Sequence, residues 1–366
     1  MRWLFLVILV VHALIHLMGF AKAFGYAELP QLQVPISRAN GLLWLAATFV
    51  LLLASFAFLT HARWWWGAAL LAALLSQVVL FTSWSDAKYG TIANLLVLGM
   101  AIYGFASQGP LSLRAHYESD IAKHLASSSV STPRVSEAEL EALPEPVRCY
   151  LQKSGVVGQP HVDHFKATWR GRIRGGANEP WMTFSAQQYN FVDTPARFFF
   201  MEATRSGLPV DVYHAYQSSE ASMRVRLLSL FPMVNAAGAE MTRSETVTIL
   251  NDLCIVAPAA LLDRSFRWQA IDARSARVVL QVGEHSASAT LHFNEACELI
   301  DFFSDDRSMH QPDGTFERAR WSTPISEYRT IGPYRLASRG EARWHQESGD
   351  YAYIELDLLE VEVNGN

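Results

Sequence analysis

Cysteine is scarce in this chain: Cys149, Cys254 and Cys297 stand far apart among 366 residues. An odd number at such spacings excludes a disulfide-dense scaffold and offers no C-x-x-C pair for metal or redox work, so all three are expected to be free thiols. Positive charge is also short. Lys and Arg number 30 against 35 Asp and Glu, a net charge of −5 at pH 7, which leaves no basic excess to neutralise phosphates and argues against nucleic acid as a partner. The short signatures of common enzymes are missing: there is no G-x-S-x-G, H-E-x-x-H, Walker loop or G-x-G-x-x-G. The chain therefore gives no reason to expect a cofactor or a metal, and it leans away from an enzyme. Long apolar runs are absent after residue 107.

Before residue 107 they are plentiful. Four apolar segments, roughly 3–20, 42–59, 65–81 and 91–106, approach the ~20 residues that cross a bilayer as a helix. Trp64, Trp65, Trp66 and Trp84 stand at their ends, where interfacial aromatic residues belong. The first run follows Arg2 and has the look of a signal peptide, but no small-residue cleavage site closes it, so it reads as the first span. With four spans the N-terminus and the C-terminal part share one side. Arg2, Arg63 and Arg114 then face Lys22, Arg38 and Lys88 across the membrane, a tie under the positive-inside rule. The N-terminal amine and Lys123 tip it toward a cytoplasmic C-terminal part.

His12 and His16 lie one turn apart on one face of the first span. Ionisable groups inside a membrane are functional candidates, yet neutral imidazoles bonded to Thr48, Ser55, Ser76 or Gln77 of neighbouring helices account for them without a ligand. At one membrane face His16, Lys22, Arg38, Asp86, Lys88 and Asn94 are expected to form a polar cluster. Such a cluster can hold a lipid headgroup or an anionic solute, or serve only to anchor helix ends.

The Gly109-Pro110 pair and the polar stretch 126–133 mark residues 108–135 as an aperiodic linker. Ser136 and Glu139 then form a capping box for a short, broken helix that carries Leu140, Leu143, Val147 and Leu151. From Phe165 onward the apolar period becomes two, and comparable alternation recurs in segment after segment to Leu358. The phase slips beside Leu359, which predicts a bulge. A second capping box, Thr242 with Glu245, opens a helix running toward Pro258. Roughly ten strands with one apolar face and about two helices make a large curved antiparallel sheet or half-open β-barrel. The expected organisation is a four-span α-helical bundle over 1–107, the linker, and an α+β domain over 136–366.

Candidate chemistry in this domain is thin. The tract 161–164 offers His161, Asp163 and His164 but no fourth donor at metal-site spacing, so a surface loop is expected. Asp301, Asp305 and Asp306 beside Arg307 read as a solvated turn rather than an acid–base pair. Asp252, on the same helix face as Glu245, would pair with an arginine for structural reasons. The strand aromatics, among them Phe198, Phe200, Trp268 and Trp321, either fill a core or line a cavity. In the second case Trp169, Phe184, Met223, Val225, Leu291, Trp344 and Leu356 are the expected ligand-binding set.

Several segments together are similar to an uncharacterised bacterial family, a membrane-associated domain of unknown function. They are residues 12–22, 28–32, 83–91 (SWSDAKYGT), 250–254 with Pro258-Ala259, 304–307, and 321–324 (WSTP). The order of elements in the C-terminal part more distantly resembles the lipoprotein-carrier (LolA-like) fold, an incomplete antiparallel barrel whose helices plug an apolar cavity. The first resemblance implies a multi-pass protein of the bacterial inner membrane with no assigned chemistry. The second implies a lipid-binding domain, and it pulls against the cytoplasmic lean because such carriers work outside the cytoplasmic membrane. The expected function is binding of a membrane lipid or other apolar small molecule near the bilayer. A membrane-anchored sensor or scaffold gripping a partner protein is the alternative, and an enzyme acting on a membrane-embedded substrate comes third.

Overall fold

In the computed structural model, residues 2–127, 133–311 and 314–365 are described. The chain divides into two units, Met1–His116 and Tyr117–Asn366.

The first unit is helical: α1 (Arg2–Ala23), α2 (Arg38–Leu59), α3 (Trp65–Thr82), a single turn α4 (Trp84–Ala87) and α5 (Gly90–Gln108). Four helices, α1, α2, α3 and the one beginning at Gly90, are long and apolar enough to cross a membrane. Their outward faces carry Phe49, Phe56, Ile92 and Leu95, all well exposed, whereas Ala47, Ala54, Ala69, Ala72 and Ala101 are buried between helices. Large residues outside and small ones inside is the arrangement for helices packing in lipid, where association rests on close backbone approach. Gly19 shows the need directly, because a Cβ there would lie 2.1 Å from Trp44 Cδ2.

The segment 108–135, expected to lack periodic structure, contains α6 (Leu113–Leu125). Tyr117, Asp120 and His124 recur at helical spacing, and they meet partners on the β-sheet described below. The Tyr117 ring lies 5.6 Å from that of Phe200, the His124 ring 4.9 Å from that of Phe198, and the Tyr213 hydroxyl donates to Asp120 at 2.8 Å. Tertiary contacts hold this helix, a source of order that composition does not reveal. Residues 128–132 of the Ser-rich stretch lie outside the described residues.

The second unit continues with α7 (Glu137–Leu140) and α8 (Glu145–Ser154). The Ser136/Glu139 capping box forms as expected, and α8 ends at Gly155, whose φ of 76° favours glycine. Then come six strands in a meander: β1 (His164–Ile173), β2 (Met182–Phe191), β3 (Ala196–Arg205), β4 (Leu208–Gln217), β5 (Glu220–Leu227) and β6 (Phe231–Ala237). They are followed by α9 (Ala239–Val256) and a 3₁₀ turn at Pro258–Leu262. Ten further strands complete the chain: β7 (Phe266–Asp272), β8 (Ser275–Val282), β9 (His285–Phe293), β10 (Leu299–Ser304), β11 (Ser308–His310), β12 (Phe316–Arg318), β13 (Arg320–Ser322), β14 (Ile325–Ile331), β15 (Tyr334–His345) and β16 (Tyr351–Val363).

Fourteen strands form one antiparallel sheet in the order β6-β5-β4-β3-β2-β1-β16-β15-β13-β10-β9-β8-β7, with β14 on β15 and β11 paired to β12 alone. The sheet does not close, because β6 and β7 remain edges. The expected bulge is present: Thr168 faces Glu360 and Trp169 faces Leu358, so Leu359 is the additional residue. A second irregularity lies at the β6 edge, where Val225 faces Val234 and Arg226 faces Pro232. Alternation on β3 divides its side chains, Phe198 and Phe200 meeting α6 while Phe199, Met201 and Ala203 face the interior around α9.

One expectation fails outright. Cys149 on α8 and Cys297 in the β9–β10 turn form a disulfide with Cα atoms 5.6 Å apart, and only Cys254 is a free, buried thiol among the described residues. The pair is separated by 148 residues, and spacing along a chain cannot report that a helix and a distant hairpin end side by side.

Candidate functional site

Alternation along the strands and the helical period of α9 converge on one cavity of about 470 Å³, within the ~300–1,000 Å³ usual for small-molecule sites. Its wall is mostly apolar. β3 contributes Phe199 and Met201, β4 Val210 and Val212, β5 Met223 and Val225, and β16 Tyr353, Ile354 and Leu356. The opposite side is one face of α9, on which Ser244, Glu245, Thr248, Asn251, Asp252 and Ile255 recur at helical spacing. The other face of α9 sends Val247, Leu250 and Cys254 into the core. Burial in that core pushes the Cys254 thiol up, which leaves it inert as a nucleophile.

A charged network lies along this polar face. Arg197 Nε donates to Asp252 Oδ2 at 2.6 Å and Arg197 Nη1 to Glu245 Oε2 at 3.2 Å, all three side chains being buried. Asp252 also accepts from Gln188 at 2.7 Å and Asn190 at 3.3 Å, and Trp169 Nε1 donates to Gln188 Oε1 at 3.1 Å. The other Glu245 oxygen has His214 Nδ1 at 3.5 Å and Arg307 Nη2 at 3.8 Å. Burial raises the Glu245 carboxyl, but His214, Arg197 and Arg307 outweigh it, so the group lies below the ordinary carboxylate range. For Asp252 burial prevails over Arg197, and the direction is upward. The capping role expected for Glu245 is not realised. α9 begins earlier, after Gly238 at φ 103°, and Glu245 turns inward to the arginines instead. Asp252 does pair with an arginine.

Of the expected ligand-binding set, Trp169, Met223, Val225, Trp344 and Leu356 line the cavity. Phe184 and Leu291 do not. Both are buried, Phe184 against Gly171 and Leu291 within the packed core. Arg307, expected in a solvated turn, also lines the cavity, with its guanidinium 4.4 Å from the Trp321 ring. Its neighbours Asp305 and Asp306 pair with Arg320 and Arg318, and 305–307 form a bend between β10 and β11, where no period-two pattern marks which way a side chain turns. Arg197 and His214 were missed as well. They sit in segments whose period-two signal came from apolar neighbours, and a charged residue on the inward phase was the only sign available. Burial pushes the Asp301 carboxyl up to about 6, but it is not among the cavity's lining residues. The 161–164 tract is no plain surface loop. His161 pairs with Glu139 at 2.8 Å, and Asp163 and His164 are buried where β1 starts. Among the described residues no group of three His, Cys, Asp or Glu is placed to hold a metal ion.

In the helical unit the six polar residues expected to cluster separate into four places. His16 and Asn94 join one buried chain: Ser76 Oγ is 3.0 Å from both His12 Nε2 and His16 Nε2, His12 Nε2 is 2.8 Å from Asn94 Oδ1, and Asn94 donates to Gln77 at 2.9 Å. Lys22 donates to the carbonyls of Leu32 and Val34, while Asp86 accepts from the Val34 amide at 2.7 Å, so both tie down the α1–α2 loop. Arg38 lies over Phe24 and Lys88 over Tyr89.

Three solved structures resemble the chain loosely. An outer membrane lipoprotein-sorting protein domain from Vibrio parahaemolyticus shares 10% identity over 55% of this chain and 85% of its own, with a TM-score of 0.33. A LolA superfamily protein from Nitrosomonas europaea shares 12% over 60% and 94%, with a TM-score of 0.34. A DUF1329 family protein from Desulfovibrio piger shares 10% over 63% and 94%, with a TM-score of 0.33. Likeness at this level carries no functional argument. No curated protein matches the chain. Residues 133–356 match a family of unknown function, DUF6544, so the motifs noted at 12–22, 28–32 and 83–91 lie outside the matched region.

Proposed function

Because the chain belongs to DUF6544, a family that brings no assigned chemistry, its function has to be read from its own site, and we propose that the β domain binds a lipid or other apolar ligand close to a membrane. The carrying observation is the cavity of about 470 Å³ walled by Phe199, Met201, Val212, Met223, Val225 and Leu356. A well-packed core leaves few voids larger than a water molecule, so an apolar space of this size calls for an occupant. The four apolar helices supply the lipid surface from which an occupant would come.

The full-length protein, extracted in mild detergent and examined by native mass spectrometry, should carry a co-purified apolar molecule. Met223→Trp places an indole into the cavity and should reduce that bound fraction roughly tenfold without loss of secondary structure. Recovery of ligand-free protein that also fails to take up any added alkyl chain would overturn the reading.

The disulfide supports a reading of which side of the membrane the domain occupies. Bonds such as Cys149–Cys297 persist in oxidising compartments and are kept reduced in the cytosol. We therefore place the β domain on the oxidising side of a bacterial inner membrane, against the lean of the charge count. That count was a tie before the N-terminal amine and Lys123 entered it, whereas the disulfide is a covalent link. A thiol introduced by Ser127→Cys, at an exposed position, should react with a membrane-impermeant maleimide in intact cells. Labelling seen only after permeabilisation would return the domain to the cytoplasm.

A further inference from the structure

Building on the apolar-ligand reading, we propose that the ligand is an amphiphile with an anionic head, whose carboxylate or phosphate oxygens are received by Arg307 at the polar side of the cavity. Donors and acceptors there do not balance. Arg197 is held by both carboxylates, with Nε on Asp252 and Nη1 on Glu245. Asp252 in turn accepts from Arg197, Gln188 and Asn190. Arg307 is not saturated. Its Nη1 donates to Thr248 Oγ1, its Nη2 stops 3.8 Å from Glu245 Oε1, and its Nε is buried with no hydrogen-bond partner. His214 Nδ1, 3.5 Å from that same Oε1, is likewise buried with no hydrogen bond. Two incompletely used nitrogen-bearing groups thus approach one carboxylate oxygen, and what this end of the cavity lacks is an acceptor.

The Arg307 group is built into place. Ser308, next in sequence, donates its amide to Ser244 Oγ at 3.0 Å, and Ser244 donates to the Ser308 carbonyl at 3.2 Å, so the chain at 307–308 is pinned to α9. The centroids of the Trp321 and Trp344 rings lie 4.4 and 5.8 Å from the guanidinium carbon, which holds the cation against an aromatic surface. Arginine presents a planar fork suited to two-oxygen acceptors such as carboxylate and phosphate. A cationic head would meet the guanidinium groups of Arg307 and Arg197. A plain hydrocarbon would leave the Arg307 Nε unmet, the condition a buried donor tolerates least.

The test uses the full-length protein, stripped of bound lipid in detergent, with palmitate, hexadecyl phosphate, hexadecanol and hexadecyltrimethylammonium as probes of one chain length. Palmitate or hexadecyl phosphate should bind about tenfold or more tighter than hexadecanol, the gain expected from a charge-assisted hydrogen bond in a buried site. The tighter of the two anions assigns the head as a carboxylate or a phosphate. Arg307→Met should abolish the preference while hexadecanol still binds, and Arg307→Lys, which keeps the charge, should retain part of it. Equal binding of palmitate and hexadecanol to the wild-type protein overturns the anionic head and leaves the apolar-ligand reading standing. Failure of every probe to bind overturns both. The wild-type series decides the matter even if Arg307→Met does not fold.

Discussion

Replacing Arg197 with methionine is expected to destabilise the β domain by about 3–5 kcal/mol, the usual consequence of removing one partner of a buried ion pair. The size follows from what remains. Asp252 would keep Gln188 and Asn190 but lose a 2.6 Å contact to the guanidinium, and Glu245 would keep the longer contacts to Thr248, His214 and Arg307. The urea midpoint of the detergent-solubilised protein, followed by tryptophan fluorescence, is the measurement. The double variant Arg197→Met with Asp252→Asn should be closer to wild type than Arg197→Met alone, since it leaves one fewer unpaired charge, and the difference gives the coupling between the two positions. Midpoints for Arg197→Met and wild type that coincide would mean the network is solvated in solution and not buried as described.

Opening the Cys149–Cys297 bond should have an effect of similar size. Chain-entropy scaling for a loop of 148 residues gives about 4–5 kcal/mol of stabilisation lost when Cys149→Ser and Cys297→Ala are combined. For a unit of this size that corresponds to a fall of about 10 °C in the melting midpoint. Reductant should lower the midpoint of the wild-type protein and leave the double variant unmoved, because Cys254 is buried and unpaired. A wild-type midpoint indifferent to reductant would remove the bond from the account, and with it the argument for the oxidising side.

The architecture was legible wherever burial imposes a period. Alternation from Phe165 to Ile173 gave β1, the phase slip at Leu359 gave its bulge with β16, and the absence of charge gave the four long helices. The site was legible only in its apolar half. Trp169, Met223, Val225, Trp344 and Leu356 are inward residues of strands, so pattern alone reaches them. Phe184 and Leu291 share that pattern and end in solid core instead, because period two reports which face is buried and not whether the space beyond it is filled. Arg197, His214 and Arg307 come from three different strands or turns, and what unites them is Glu245 on α9. Their role depends on long-range packing, as does the meeting of Cys149 with Cys297, and a single sequence carries no mark of either.

The irregular pairing at Pro232 bears on how such a sheet survives unclosed. A row of free amides and carbonyls along β6 would invite a second molecule to add its own strand and begin a fibre. Pro232 brings no amide to that rim, and the irregular register beside it bends the rim away from a flat template. At the far rim, β7 carries Arg267 and Asp272 and has its own break in register between Ala270 and Asp272, so charge and irregularity blunt that side too. The guard of this open sheet against polymerising is thus written into the two strands that border it.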